Sequence, residues 1–345
     1  MPPEIASPPP SWSPQDALGS FSRAWRNPLA VLGLSAMALG VLTMREWGEM
    51  FHQWWNIDTY NHILLVPAII VWLVWLRRAE LCKASPQSWV PGLALVAAGL
   101  GLWLIGRASG INFIAHAGAV GAAQGAVVAV LGLRVSLLLA LPLTFAAFLV
   151  PFGDELIPVL QTITAEIAVT LTHWSGIPAL IDGIHIDTPV GLFIVAEACS
   201  GVKFLVATVT LAVLVCFTRF SRWSHRAIFM AISIIVPILA NGVRAWGTIY
   251  IAQFRGVEFA AGFDHIFYGW IFFALVVAVL IGLAWRFFDR EPDEQGWSTA
   301  ELAAWSWLTA AEARIVSTSA TGGAIAALVV AGALLAAIVA PAAMV

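Results

Sequence analysis

The sequence predicts an all-α polytopic membrane protein, and three observations support this fold class. Hydrophobic residues make up 60% of the 345-residue chain, and charged residues make up only 11%. Soluble domains carry about 25% charged residues. Apolar runs of roughly 17 to 25 residues, the length of a membrane-spanning helix, recur along most of the chain. We expect about eight core transmembrane helices plus one C-terminal helix, with a small outward helix and β element before Cys199.

The apolar runs define nine predicted spans. Pro67 lies in the predicted span 62–76 and Pro237 in the predicted span 227–250, and each proline removes a backbone N–H and favours a kink. The predicted spans lie near 28–44, 62–76, 90–106, 111–132, 135–152, 202–217, 227–250, 265–285 and 322–341.

The basic residues predict the orientation of these spans. Cytoplasmic loops of membrane proteins carry an excess of lysine and arginine. With a cytoplasmic N-terminus, most of the 17 basic residues fall on the cytoplasmic side, and the exceptions are Arg45, Arg107, Lys203, Arg244 and Arg255. The net charge of −3 and the lack of a dense basic cluster exclude nucleic acid as an expected partner. Membrane lipid is the expected environment.

The largest outward segment covers residues 153–198, directly before Cys199. In its first half Leu160, Ile163 and Ile167 recur at helical spacing beside polar residues, which predicts a helix lying on the membrane surface. Its second half, IPALIDGIHIDTPVGLFIVAEA, is rich in isoleucine and valine and contains two turn signals, Asp-Gly and Thr-Pro-Val-Gly. This pattern predicts two or three short strands that bring Cys199 to the membrane surface.

Composition also divides the chain into segments. The Pro- and Ser-rich start lacks the basic and apolar pattern of a cleaved signal, so it predicts a flexible cytoplasmic tail. Ser298 and Glu301 have the spacing of a capping box, which predicts an interfacial helix. We therefore expect a tail (1–27), a membrane core (28–290), a cytoplasmic linker (291–321) and an additional C-terminal transmembrane helix (322–345).

Three reactive side chains fall at the outward ends of predicted spans: Cys199, Arg244 and His265. A thiol before a helix N-terminus is a stronger nucleophile, because the helix dipole and nearby cations stabilise its thiolate. An imidazole can accept the thiol proton and donate a proton to a leaving amine, and an arginine can hold an oxyanion. Because helix bundles build sites from neighbouring helices at one depth, the three side chains predict one catalytic site.

Each of the three residues also has a structural interpretation. A membrane cysteine is more often a small apolar filler, as we expect for Cys82 and Cys216, and a histidine at a helix end is commonly an interfacial polar residue. An arginine inside a span differs, because its burial costs about 2.5 kcal/mol or more and favours a functional role. Cys199 and Cys216 would lie about 25 Å apart along a helix, so this pair is predicted to be reduced.

A metal site is the competing chemical interpretation, because His62, Cys199, Asp264 and His265 all fall outward. Paired spacings such as CxxC or HExxH, which mark metal ligands, do not support it. The sequence also lacks a glycine-rich phosphate loop and a GxSxG elbow. We therefore expect neither a metal nor another cofactor.

Four sequence blocks in order resemble the exosortase family of polytopic bacterial membrane proteins: TYNHILLVPAIIVWLVW (59–75), GLFIVAEACSGVKFL (191–205), ANGVRAWGTI (240–249) and DHIFYGWIFF (264–273). ACSG alone is a weak signal, but ACSG followed by NGxR and then by DHxxYGWxFF is specific. The resemblance implies a Cys, Arg and His active site at Cys199, Arg244 and His265. Two neighbours depart from the family pattern, since Lys203 stands where arginine is expected and Ile63 where glycine is usual.

The resemblance implies a membrane cysteine protease or transpeptidase in the bacterial inner membrane, with a cytoplasmic N-terminus and a periplasmic active site. Family substrates are exported proteins with a C-terminal Pro-Glu-Pro sorting signal (PEP-CTERM proteins), and some members carry a further periplasmic domain tied to exopolysaccharide export. We therefore expect the chain to be the core of such a longer fusion. Supporting or substrate-binding roles are expected for His62, Tyr60, Glu197, Ser200, Asn241 and Asp264.

The alternative function is a non-catalytic membrane component of exopolysaccharide export. A transport component would place polar residues along helix faces through the full membrane depth. In this sequence the polar residues within the predicted spans cluster at the outward ends. This distribution favours the enzyme.

Overall fold

The computed structural model describes residues 14–263, 269–316, 328–329 and 331–332, and these residues are almost entirely helical. A small three-stranded sheet lies between the helices Ile157–Trp174 and Val202–Arg219. The helices are α1 (Pro14–Leu42), α2 (Met44–Asn56), α3 (Val66–Leu76), α4 (Arg78–Lys83), α5 (Gly92–Ser109), α6 (Asn112–Leu131), α7 (Leu133–Leu138), α8 (Ala140–Phe145), α9 (Ile157–Trp174), α10 (Val202–Arg219), α11 (Trp223–Arg255), α12 (Val257–Phe263), α13 (Gly269–Ala284), α14 (Thr299–Ala303) and α15 (Ser306–Val316).

Within the described residues, six helices are long and apolar enough to cross a membrane. They are Ala24–Leu42, Gly92–Ser109, Asn112–Leu131, Asp154–Trp174, Val202–Arg219 and Trp223–Arg255. Two broken helix pairs, Met44–Asn56 with Asn61–Leu76 and Ile271–Phe287 with Pro292–Ala303, raise the number to eight if each pair is one span. The predicted all-α polytopic membrane fold is therefore confirmed.

The N-terminal helix starts earlier than the sequence predicts. α1 begins at Pro14, so the second half of the predicted flexible tail is helical. The reason is tertiary, because Trp25 is buried and its indole N–H donates to the carbonyl of Ala84 (3.2 Å). Residues 1–13 and nearly all of the predicted span 322–341 lie outside the described residues.

The predicted span 135–152 is wrong as a single helix. The chain forms two short helices there, α7 and α8, followed by a 3-10 turn over Ala146–Leu149. The break falls at Leu139, three residues before Pro142. Proline lacks an N–H, and its ring clashes with the carbonyl one turn earlier, so a continuous helix is disfavoured here.

The helix predicted to lie on the membrane surface is α9, and with its first turn it has the length and hydropathy of a membrane span. Its polar residues Gln161 and Thr164 are buried. Gln161 donates a hydrogen bond to the carbonyl of Val195 (2.7 Å). These two polar residues, which suggested a water-facing side, therefore contact protein, whereas Glu166 on the same helix is exposed.

The chain divides into two compact units. The first comprises Met1–Gly48, Val71–Ala147 and Gly296–Val345, so far as these are described, and the second comprises Glu49–Ile70 and Phe148–Gln295. This division cuts across the segments predicted from composition, whose boundaries stay predictions.

In the first unit α5 and α6 pack with their backbones in near contact. A Cβ added at Gly99 would lie 2.3 Å from the amide nitrogen of Ala122, and one added at Gly118 would lie 2.2 Å from that of Trp103. Small residues at helix interfaces allow this approach in membranes, where close packing rather than the hydrophobic effect drives helix association. Glycine at these positions is therefore required by the backbone separation.

A polar cluster in the first unit connects α4 to the start of α14. The carboxylate of Glu80 accepts hydrogen bonds from the amide and hydroxyl of Thr299 (2.6 and 2.7 Å) and from the ammonium of Lys83 (2.7 Å). These hydrogen bonds lower the pKa of Glu80 to about 2, and the bond from Lys83 has the largest effect, followed by the bond from the Thr299 amide. The predicted capping box between Ser298 and Glu301 is present in full.

The second unit contains the predicted short strands. β1 (Leu180–Asp182), β2 (His185–Thr188) and β3 (Gly191–Ile194) form an antiparallel sheet in the order β1-β2-β3. One face of the sheet packs into a core with α9 and α11, built from Ala165, Ala168, Ile186, Val195 and Ile249. The sheet is therefore fixed on two helices.

The chain between the sheet and α10 is held by one side chain of α11. The amide of Asn241 donates to the carbonyl of Cys199 (2.8 Å) and to the hydroxyl of Thr164 on α9 (3.0 Å). Gly201 has φ +85°, and a Cβ there would lie 2.7 Å from Cγ of Asn241. Glycine is required at this position both by the left-handed backbone and by the close approach of Asn241.

We predict that Gly118→Ala lowers the stability of the protein by about 1–3 kcal/mol, because α5 and α6 must move apart to accept the methyl group. The control is Gly101→Ala on α5, where nothing lies within 4 Å of the added Cβ. Thermal unfolding in detergent measures both. Equal midpoints for the two variants would contradict the close packing.

We predict that Glu80→Gln destabilises the protein at neutral pH and that the difference disappears in acid. A carboxyl group whose pKa is lowered by folding stabilises the folded state above its unfolded pKa, and this contribution is lost as the pH falls through the folded pKa. The unfolding midpoints of wild type and variant should therefore converge between about pH 4.5 and about pH 2. The control is Asp293→Asn, at an exposed position. A pH-independent difference would contradict the prediction.

We predict that Gly201→Ala lowers the unfolding midpoint more than Gly176→Ala does. Gly176 has φ +79° but nothing within 4 Å of an added Cβ, so this variant carries only the backbone strain of about 1–2 kcal/mol. Gly201→Ala adds the displacement of Asn241 and the loss of its bond to Cys199. The difference between the two decreases in unfolding midpoint measures the contribution of the Asn241 contact to stability. Equal decreases for the two variants would show that this contact contributes nothing.

Candidate active site

Cys199 is placed between the sheet and a helix N-terminus. It is the last residue of a 3-10 turn, Glu197–Cys199, which follows β3, and α10 begins three residues later at Val202. Its amide donates to the carbonyl of Ala196 (2.8 Å), and its side chain is half-buried. The cysteine thus stands just before the positive end of a membrane helix, as the sequence predicts, and such a position favours a thiolate. None of the three cysteines forms a disulfide.

Asn241 and Ser200, which were predicted to have supporting roles, both form hydrogen bonds that hold the turn carrying Cys199. Asn241 binds the Cys199 carbonyl, as described above. Ser200 is buried, and its carbonyl accepts from the hydroxyl of Thr164 (3.4 Å) while its own hydroxyl accepts from the amide of Val202 (3.4 Å). These contacts fix the backbone on both sides of the thiol.

Arg244 lies one turn after Asn241 on the same face of α11 and is only 8% exposed. Cys199 and Arg244 line one cavity of about 80 Å³. Among the described residues, the lining consists of Ile186, Phe193, Ile194, Val195, Cys199, Asn241, Arg244, Ala245, Thr248 and Ile249. A nucleophile and a fixed cation therefore share a small space whose other walls are mainly apolar.

A second, smaller cavity of about 10 Å³ is also lined by Arg244, together with residues that include Phe204 and Phe273. The guanidinium carbon lies 5.8 Å from the centroid of the Phe204 ring, which stacks on Phe273 at 4.6 Å. A cation over an aromatic face gains about 0.5–2 kcal/mol. The aromatic pair thus helps to hold a charge that burial in a membrane helix would otherwise disfavour.

The cavity is large enough for one small apolar side chain. An apolar cavity of about 150 Å³ holds benzene, and this one has about half that volume. Low polarity around Arg244 also strengthens its interaction with a developing negative charge, because fewer water dipoles compete. The arrangement can therefore hold an oxyanion next to a thiol.

Other predicted site residues are not brought to this cavity. Tyr60 is buried near Asp154, and a ring nitrogen of His62 contacts the carbonyl of Thr59 (3.0 Å). Glu197 is exposed. The three predicted residues Tyr60, His62 and Glu197 are absent from the described lining of the Cys199 cavity.

His265 and Asp264 lie outside the described residues, so their predicted roles stay predictions. Metal binding was the competing interpretation of this region. Among the residues that the structure describes, no group of three or more potential metal ligands occurs.

Sequence reasoning missed several residues that shape the site. Thr164 supports the turn, Thr248 lines the cavity, and Phe204 contacts Arg244. The sequence spacing could have identified Thr248, because a residue four positions after Arg244 lies next to it on a helix. In the structure the Thr248 hydroxyl donates to the backbone carbonyl of Arg244 (3.2 Å). No local pattern marks Thr164, because its partners lie on other helices.

Comparison with known proteins identifies one matching family. Residues 54–282 match the family model of transmembrane exosortases, a segment that covers more than half of the chain and includes both Cys199 and Arg244. No curated protein and no solved structure matches the chain. The chain belongs to the transmembrane exosortase family.

Proposed function

We propose that the protein is a membrane cysteine endopeptidase or transpeptidase with Cys199 as its nucleophile. The observation that carries the proposal is the shared cavity of Cys199 and Arg244, whose backbone positions are linked through Asn241. A thiolate and a fixed cation in one small apolar cavity are the groups that acyl transfer requires.

In the first half of the reaction, His265 accepts the thiol proton and the Cys199 sulfur attacks the carbonyl carbon of the scissile peptide bond. Arg244 holds the oxyanion that forms. The C–N bond then breaks, His265 returns the proton to the leaving amine, and a thioester remains on Cys199. In the second half, His265 accepts a proton from water or an amine as this nucleophile attacks the thioester carbonyl. The C–S bond then breaks, and the proton returns from His265 to the Cys199 thiolate. His265 is included through the family motif, since it lies outside the described residues.

The substrates proposed are exported proteins with a C-terminal Pro-Glu-Pro signal, as the family resemblance implies. The cavity supports a peptide substrate, because its apolar walls fit one small side chain beside the reacting carbonyl. The distribution of basic residues supports an inner-membrane orientation with a cytoplasmic N-terminus and a periplasmic site. Exopolysaccharide export machinery is a proposed partner.

We predict that Cys199→Ala lowers processing of a co-expressed substrate at least about 10⁴-fold, because removal of the nucleophile removes the covalent step. Mass spectrometry of the wild type should show a substrate adduct on Cys199 that is absent from the variant. The control is Cys82→Ala, which removes an exposed thiol elsewhere and should process normally. Equal processing by Cys199→Ala and wild type would overturn the proposal and favour a non-catalytic export component.

We predict that Arg244→Lys lowers kcat by about 10²- to 10³-fold, because lysine keeps the charge but loses the planar fork that holds an oxyanion. Substrate binding should change much less, since the oxyanion exists only after attack. Single-turnover rates with purified protein measure the loss. An unchanged kcat would show that Arg244 does not contact the reacting carbonyl.

A further inference from the structure

β3 is an edge strand of the small sheet. In the described part of the chain it pairs with β2 on one side and with no strand on the other. The side chains of Leu192 and Ile194 are 58% and 54% exposed, whereas Phe193 between them packs towards the core. An edge strand with open backbone groups can pair with another extended chain.

The strand register identifies the backbone groups on the open edge. The two-residue turn between β2 and β3 makes Thr188 and Gly191 a hydrogen-bonded pair, and such pairs alternate along an antiparallel ladder. Leu192 and Ile194 therefore direct their backbone groups away from β2. The Ile194 carbonyl accepts from the amide of Ala196 (3.0 Å). Within the described residues, the open groups are the N–H and C=O of Leu192 and the N–H of Ile194.

The same strand continues into the proposed active site. Ile194 is its last residue, and Phe193, Ile194 and Val195 line the cavity that contains Cys199 and Arg244. An extended chain lying along β3 would therefore meet the thiol at the C-terminal end of the strand. The sheet is fixed on α9 and α11, so its edge is a rigid template.

We propose that the substrate peptide binds as a fourth strand on the open edge of β3, with its scissile bond beside Cys199. This inference rests on the proposed function, because it takes a peptide as the occupant. Strand addition supplies affinity through main-chain hydrogen bonds, and pockets select alternate side chains. The apolar cavity beside β3 is such a pocket.

Strand addition imposes an alternating rule on the substrate. Successive residues of a strand direct their N–H groups to opposite edges, so every second residue of the peptide donates to β3 and the residues between them do not. Proline, which has no N–H, is accepted only at the positions that face away from β3. The edge of β3 therefore selects substrates by the positions of their backbone N–H groups as well as by their side chains.

The first test measures binding without turnover. A fluorescein-labelled synthetic peptide with a Pro-Glu-Pro segment is titrated against full-length Cys199→Ala in nanodiscs, and the titration is repeated with a single N-methyl group at each successive non-proline amide. Each methyl group on an amide that faces β3 should raise the Kd about 10-fold, and those between should change it less than about 3-fold. Absence of the alternation, or absence of binding by the unmodified peptide, overturns the inference.

The second test uses matched proline variants on the two edges of the sheet. Leu192→Pro removes an open N–H from β3, and Ile181→Pro removes the equivalent outward N–H from β1 on the opposite edge, where Ile181 is 42% exposed. Leu192→Pro should raise the peptide Kd about 10-fold, and Ile181→Pro should change it less than about 2-fold. Comparable unfolding midpoints show that both variants fold.

Equal weakening by Leu192→Pro and Ile181→Pro overturns the inference. Alternating binding combined with normal processing by Cys199→Ala overturns the catalytic proposal and leaves strand addition in place, so the two failures are distinguishable.

Discussion

The two hydrogen bonds from the Asn241 side-chain amide are the interaction on which the candidate site depends. They join α11 to Thr164 on α9 and to the carbonyl of Cys199. The amide nitrogen has two N–H donors, and both are used in a buried setting where an unsatisfied donor costs about 1–3 kcal/mol. The turn that carries the thiol is therefore fixed by hydrogen bonds as well as by packing.

This constraint also couples the thiol to the cation. Asn241 and Arg244 lie three residues apart on one face of α11, so the helix that holds the Cys199 backbone also presents the guanidinium to the same cavity. A movement of α11 would displace both groups together. Helix-mounted groups hold such a geometry better than loop residues do, and catalysis requires positions fixed to about 0.5 Å.

The sheet extends the site away from the helices. β3 leads directly into the turn of Cys199 and contributes Phe193 and Ile194 to the cavity wall. Gln161 on α9 holds the next residue, Val195, through its carbonyl. The small β element thus leads from α9 and α11, on which it packs, directly to the turn that carries the thiol.

The sequence by itself determined that the chain is a helical membrane protein, because composition and the length of apolar runs reflect the cost of exposing backbone and charge to lipid. It also placed Cys199 just before a helix and Arg244 within one, since these placements depend on local spacing. Only the tertiary structure decided that Gln161 and Thr164 face protein, that 135–152 breaks into short helices, and that Tyr60 and His62 lie outside the described cavity lining. A local sequence pattern can indicate that a residue is buried, but it does not identify the residue that it contacts. The hydrogen-bond partners of Asn241, for example, lie 77 and 42 residues away in the chain.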